Sequence, residues 1–225
     1  MPTQNALRSK PAGRTAKQTA DFLLIETMRW EPQDGFLRLD QHLRRLSRSA
    51  DALGFRQPDG AEAQLKAAVS GSGPLRVRLA MTYRGKIDIT TTPFEPEPEG
   101  RIWRLRIAGQ RLASDDSLFR HKTTRRAPYD AARAEFSKAE ADEVLLLNER
   151  GELCEGTITN LFVEAEDGQL LTPPLSSGLL PGVLRADLIR ERKARSQVLM
   201  PDDLKHRKVF VGNSLRGLIA AELVE

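Results

Sequence analysis

Residues 155–162 read Glu155-Gly156-Thr157-Ile158-Thr159-Asn160-Leu161-Phe162, and the rest of the chain organises around them. The apolar end of the stretch belongs to a strand predicted over Ile158 to Glu164. Further strands are predicted before it at Glu143 to Leu147 and after it at Gln169 to Leu171. Upstream, a helix is expected from Tyr129 to about Ala139. Downstream, Pro181-Gly182 leads into a helix from Val183 to Arg195, with the proline placed where helix starts tolerate it. Val209 to Val211 is one more strand, ahead of Gly212-Asn213-Ser214.

The first half reads as strands packed with two helices. Phe22 to Trp30 is a strand, Pro32-Gln33-Asp34-Gly35 a turn, and Phe36 to Leu39 the return of a hairpin. Asp40 can cap a helix in which Leu43, Leu46, Ala50 and Leu53 recur at helical spacing, and which stops near Gly54. A second helix from Ala61 to Val69 ends at Gly71-Ser72-Gly73. Leu75 to Tyr83, a turn at Arg84-Gly85, and Lys86 to Thr92 form another hairpin. Beyond the proline-rich residues 93–98, Ile102 to Ala108 is one more strand. The resulting division is a flexible polar tail (1–18), a small N-terminal α+β domain (19–108), an aperiodic interdomain loop (109–121) and a C-terminal domain (122–225).

Of the 225 residues, 40% are hydrophobic and 29% charged, which is enough apolar material for a real core. No apolar run approaches the roughly 18 residues of a membrane span. Met1 to Gln18 is polar and basic, unlike a secretory signal. A single cysteine, Cys154, excludes an intramolecular disulfide and fits a reducing compartment, so a cytoplasmic location is expected. The net charge of +4 allows an anionic ligand without demanding one. The densest basic cluster, Arg120-His121-Lys122-Thr123-Thr124-Arg125-Arg126, reads by itself as a solvated loop. A nucleic-acid-binding protein built on it and on the basic tail is the remote alternative, short of stacking platforms with only 5% aromatic residues. There is no glycine-rich dinucleotide loop, no Walker loop and no paired Cys/His metal spacing. His42, His121 and His206 lie far apart, so a metal centre is not expected.

Four other blocks stand in order around residues 155–162. They are His42-Leu43-Arg44-Arg45-Leu46, then Lys122, then Leu180-Pro181-Gly182-Val183-Leu184-Arg185, and finally Asn213-Ser214. With Glu155-Gly156 and Asn160-Leu161 as an E-G-x-x-x-N-L/F block, the set resembles class IV aminotransferases. That family includes branched-chain aminotransferases, D-amino-acid aminotransferases and 4-amino-4-deoxychorismate lyases. The resemblance covers nearly the whole chain after the tail, and the interval from Lys122 to Glu155 is close to the family spacing. It implies the two-domain architecture of fold type IV pyridoxal-phosphate enzymes: a small N-terminal α+β domain and a larger, barrel-like C-terminal α/β domain. It also implies a homodimer.

The resemblance assigns roles that the chemistry of pyridoxal 5'-phosphate makes intelligible. The aldehyde needs an amine, and a lysine supplies one when desolvation or neighbouring cations favour its neutral form; Lys122 holds that position. The ring nitrogen needs a carboxylate beside it, the place of Glu155. The phosphate needs cations, hydroxyls and free N–H groups: Arg45, the start of a helix at Val183 and Leu184, and Ser214. Leu180 matches an apolar residue that packs on the ring. On the substrate side, Arg78 resembles an arginine near the substrate carboxylate, and Arg29 and Thr159 are further candidates. An outward strand arginine is the equal alternative for Arg78.

Ile25 to Trp30 together with His42 to Leu46 is most similar to aminodeoxychorismate lyases. That similarity implies release of pyruvate from 4-amino-4-deoxychorismate to give 4-aminobenzoate, a step toward folate. The alternative is an aminotransferase acting on an L- or D-amino acid and a 2-oxo acid. Two departures from the aminotransferases fit the lyase better. Ala127 stands where they carry a tyrosine five residues after the lysine, and the early glycine-rich segment is missing.

Overall fold

The computed structural model describes residues 22–224, so the tail expected over 1–18 lies outside the described residues. Two sheets carry the chain. The first has four antiparallel strands in the order β2-β1-β3-β4: β1 (Leu24–Glu31), β2 (Gly35–Phe36), β3 (Leu75–Met81) and β4 (Ile87–Pro93). Alternation splits it into two faces. Leu24, Met28, Val77, Leu79 and Met81 form an apolar core with Leu46, Ala50 and Leu65. Those last three come from the helices α1 (Leu39–Leu53) and α2 (Ala61–Ala67). The other face carries Thr27 opposite Arg78 and Arg29 opposite Arg76.

Helix α1 starts differently from the expectation. The residue before it, Arg38, takes a left-handed conformation (φ 59°), and Asp40 makes no cap bond; it lies in the first turn, where its charge still suits the helix dipole. The expected return strand is two residues long, and Arg38 Nε donates to Asp187 Oδ2 at 2.7 Å.

The second sheet has eight strands in the order β10-β9-β8-β11-β12-β5-β6-β7. They are β5 (Trp103–Leu112), β6 (Glu143–Asn148), β7 (Leu153–Gly156), β8 (Asn160–Glu164), β9 (Leu170–Thr172), β10 (Ala194–Ser196), β11 (Val209–Asn213) and β12 (Gly217–Leu223). Pairs β9/β10, β5/β12 and β5/β6 are parallel; the others are antiparallel. Strands β7 and β8 are distant in sheet order, yet only residues 157–159 join them, and Gly156 N–H donates to Thr159 O at 2.8 Å. The sheet therefore curls into a half-barrel around Leu105, Leu145, Leu161, Val211 and Ile219. Two helices accompany it, α3 (Ala127–Ala134) and α4 (Val183–Arg190).

Four differences from the sequence reading have physical causes. The strand expected over 102–108 runs to Leu112 and pairs with β12 and β6, so it belongs to the curled sheet rather than to the N-terminal unit. Residues 109–121 are accordingly not an unstructured connection: they contain the end of β5 and a short 3-10 turn at Ser117–Arg120. Helix α4 stops at Arg190 rather than Arg195, because Arg192 turns left-handed (φ 59°) and the chain leaves as β10. Strands β7, β10 and β12 were not anticipated. β7 is buried on every residue, so it shows no alternation for a period to reveal. No helix among the described residues is long and apolar enough to cross a membrane.

Candidate active site

A cavity of about 370 Å³ opens between the two sheets. Lys122 enters it because its own segment adds on to β1. Ile25 N–H donates to Lys122 O at 2.9 Å, Thr124 N–H to Leu23 O at 3.0 Å, and Leu24 bridges Thr123. The basic cluster 120–126 is thus no solvated loop: His121, Lys122, Arg125 and Arg126 all line the cavity. Burial moves the Lys122 ammonium down to about 8, with Arg45 and Arg126 adding to the shift and Glu26 and Glu155 opposing it.

Glu155 is buried at the end of β7. Its Oε1 accepts from the Tyr129 hydroxyl at 2.7 Å and from Leu180 N–H at 3.0 Å, and its Oε2 from Asn160 Nδ2 at 3.1 Å. Burial lifts its pKa to about 7 against those bonds and the nearby Lys122 and Arg126 charges. The carboxyl can therefore hold or release a proton near neutrality. The fold leaves no room for a side chain beside it. A Cβ added at Gly182 would meet Asn160 Oδ1 at 1.8 Å, and one at Gly156 would meet Thr159 Oγ1 at 2.5 Å.

A buried polar chain holds the other end. Glu26 is 1% exposed and accepts from Arg45 Nη2 at 2.6 Å and Nε at 2.8 Å. Burial alone would raise its pKa, but Arg45 and His42 outweigh that and hold it at about 2. His42 Nδ1 lies 2.7 Å from Glu26 Oε2, and its Nε2 2.8 Å from Ser214 Oγ. Arg45 also donates to Pro181 O at 3.3 Å, beside the start of α4. A guanidinium, a hydroxyl and the first turn of a helix thus face one region, an arrangement suited to an anion.

Glu143, the first residue of β6, organises the loop between β7 and β8. It is 1% exposed. It accepts from Thr157 Oγ1 at 2.6 Å, Thr157 N–H at 3.0 Å, Ile158 N–H at 3.1 Å and Thr159 Oγ1 at 2.8 Å. Arg126 donates to Thr157 O and lies 4.7 Å over the Tyr129 ring.

Of the residues singled out in the sequence, Arg45, Arg78, Lys122, Glu155, Thr159, Leu180, Val183 and Ser214 all line the cavity. Two do not. Arg29 pairs with Glu31 and lies 5.0 Å over Phe94, held at the edge of β1. The Leu184 side chain, in the first turn of α4, packs with Phe162 and Leu188 instead. Ala127, five residues after Lys122, is exposed at the start of α3, and the tyrosine that lines the cavity is Tyr129. Sequence reading gave no role to Glu26, Glu143, Tyr129 or Arg216, whereas Arg126, read there as a cation that could favour the neutral lysine, does lower the Lys122 pKa. Glu143 carried the one visible signal, a carboxylate leading an otherwise apolar strand. Cys154 is buried, its thiol pushed well up by that burial and by the carboxylates around it, so it is no nucleophile.

The donor set fits pyridoxal phosphate: an amine shifted toward neutrality, a buried carboxyl with a pKa of about 7, and a guanidinium and a hydroxyl beside the start of a helix. A lysine and a buried carboxyl of this kind suit an enzyme site of the pyridoxal-phosphate class. The chain belongs to the class IV aminotransferases, whose family description, Amino-transferase class IV, matches residues 23–224. It is 29% identical over 196 residues to a "putative aminodeoxychorismate lyase" of Schizosaccharomyces pombe, covering 83% of this chain and 84% of that one. It is 52% identical to a "putative amino-acid aminotransferase" of Mesorhizobium loti, whose crystal structure superposes with a TM-score of 0.88 over 91% of this chain and 100% of the other. A branched-chain aminotransferase of Thermoproteus uzoniensis shares the fold, with a TM-score of 0.78 at 22% identity over 90% of this chain and 78% of that one.

Proposed function

We propose that the chain holds pyridoxal phosphate on Lys122 and releases pyruvate from 4-amino-4-deoxychorismate to give 4-aminobenzoate. The observation that carries the cofactor reading is the convergence of Lys122, Glu155, Arg45 and Ser214 on one cavity. The lyase reading draws on the fission-yeast relative, which matches along most of both chains.

When bound, the cofactor supplies an aldehyde for the substrate amine and a ring that accepts electron density from the reacting carbon. Glu155 stands by the ring nitrogen and stabilises its proton. Arg45, Ser214 and the Val183 and Leu184 N–H groups take the phosphate, and Leu180 packs on the ring. Lys122, with its pKa near 8, can take a proton from the amine-bearing carbon and return it elsewhere on the same substrate. Arg78 is half-buried, has no ion-pair partner among the described residues, and meets a substrate carboxylate. Thr159 borders the substrate, its hydroxyl proton already given to Glu143.

The 52% identical relative favours a second reading, an aminotransferase for an amino acid and a 2-oxo acid. One experiment separates the two. Cofactor-loaded protein is given 4-amino-4-deoxychorismate in one reaction and amino acids with 2-oxoglutarate in another. The lyase reading requires 4-aminobenzoate and pyruvate in the first and no amino transfer in the second; the reverse result selects the aminotransferase.

The enzyme works in the cytoplasm as a homodimer. The four-stranded unit is small for a self-sufficient core, and a two-fold dimer is the commonest closed assembly. An active, cofactor-binding species sedimenting as a 25.1 kDa monomer would refute the dimer.

A further inference from the structure

Arg216 lines the cavity, and neither the cofactor roles nor the buried chain around Glu26 uses it. It sits on the turn between β11 and β12, two residues after Ser214. That turn is held rigidly: Leu215 and Arg216 N–H both donate to Asn213 Oδ1, at 3.1 and 3.0 Å, and Asn213 Nδ2 donates to Ile158 O at 3.2 Å. The guanidinium lies 5.8 Å from the Phe94 ring centroid and 5.8 Å from that of Trp103. One end is tethered, with Nη1 3.3 Å from Glu97 Oε1, and Glu97 is itself fixed by Trp103 Nε1 at 3.2 Å.

The Nε of Arg216 is buried and has no hydrogen-bond partner among the described residues. A guanidinium has five N–H donors, and a buried one left unsatisfied calls for an explanation. That Nε is sealed off, whereas the Arg216 side chain as a whole stays 27% exposed and lines the cavity, so it is the outer end of the guanidinium that a ligand can meet. The cavity also has more cations than its carboxylates can balance. Among the described residues that line it, Glu155 is the one carboxylate, and Glu26 is already matched to Arg45. Arg76 and Arg78, on β3 of the other sheet, line the same cavity without ion-pair partners among the described residues.

We propose that Arg216 is a specificity-determining residue: the free end of its guanidinium binds a substrate carboxylate remote from the reacting amine, while Arg78 takes another. The site is thus built for dicarboxylates. The inference rests on reading this cavity as the substrate pocket, and it holds for lyase and aminotransferase alike. A guanidinium held beside two aromatic rings is preorganised to donate to a carboxylate, and the rigid turn spares it the entropy of ordering.

The test uses cofactor-loaded protein and calorimetric titration with isophthalate and with benzoate, ring-matched probes that differ by one carboxylate. Wild type is expected to bind isophthalate at least tenfold more tightly than benzoate. Arg216→Met should bring the ratio close to one with benzoate affinity unchanged. Arg216→Gln, which keeps the chain's length and a polar end, is measured beside it and should behave alike. Glu97→Gln removes the tether without altering the cavity wall and should keep the preference. A wild type without preference, or either Arg216 variant retaining it, overturns the proposal. So does an equal loss in Glu97→Gln, which would make Arg216 a brace. No turnover is involved, so a failed lyase assay with the preference intact would reject the lyase reading and leave Arg216 its role.

Discussion

The imidazole of His42 spans the two sheets: its Nε2 lies 2.8 Å from Ser214 Oγ, a residue 172 positions away, while its Nδ1 meets Glu26 at 2.7 Å. The hydroxyl proposed for the phosphate is therefore held from the other half of the protein. His42→Ala would leave Ser214 and the Glu26 carboxylate each one partner short in a buried setting, at a cost of roughly 1–3 kcal/mol in stability. Thermal melting reads that loss. Cofactor titration should show affinity for pyridoxal phosphate falling about tenfold, as expected when ~1.4 kcal/mol of positioning is removed. Unchanged affinity would mean that Ser214 does not depend on His42.

Glu26 makes the fold acid-sensitive. Its folded pKa of about 2 lies below the ordinary 4.5, so the unfolded chain takes up its proton more readily. The stability contributed by this carboxylate is complete above about pH 5 and is lost as the pH falls toward 2. Glu26→Gln should be less stable at neutral pH by roughly 3–5 kcal/mol, because Arg45 and His42 lose their counter-charge. Its melting temperature should also fall less than that of wild type between pH 5 and 3. Parallel curves for the two proteins would contradict this.

Lys122 must be neutral to attack an aldehyde, and its pKa is lowered to about 8. Covalent capture of added pyridoxal phosphate by the empty protein, followed by absorbance, should quicken as the pH rises from 6 through 8. It should level off above 9. A rate still climbing at pH 10 would show a lysine with an ordinary pKa.

Glu155→Gln should keep the cofactor bound yet cut turnover by a hundredfold or more, an order-of-magnitude expectation for losing the charge that stabilises the ring proton. Retained turnover in that variant would remove Glu155 from its place beside the ring.

The sequence was legible where covalent and ionic chemistry restricts residue choice. Lys122, Glu155, Arg45 and Ser214 were singled out by type and order, and the fold gathers them in one cavity. The hairpin of β3 and β4 and the helix α1 were legible through their periodicity. β7 and β10 were not, being short, and β7 has no polar alternation to mark it. The placement of β5 was hidden because its partners β12 and β6 are parallel strands that local pattern cannot name. Glu143, Tyr129 and Arg216 were missed for a related reason. Their roles arise from contacts with residues distant in sequence, and an arginine on a turn reads as solvated until Phe94 and Trp103 are seen around it.

The central claim is that Lys122 carries the cofactor, and borohydride reduction tests it most directly. Cofactor-loaded protein is reduced, digested and mapped by peptide mass. The near-ultraviolet to violet band should bleach, and a single pyridoxyl-phosphate adduct should map to Lys122. An adduct on a different lysine, or a protein that takes up no cofactor and shows no band to bleach, would contradict it.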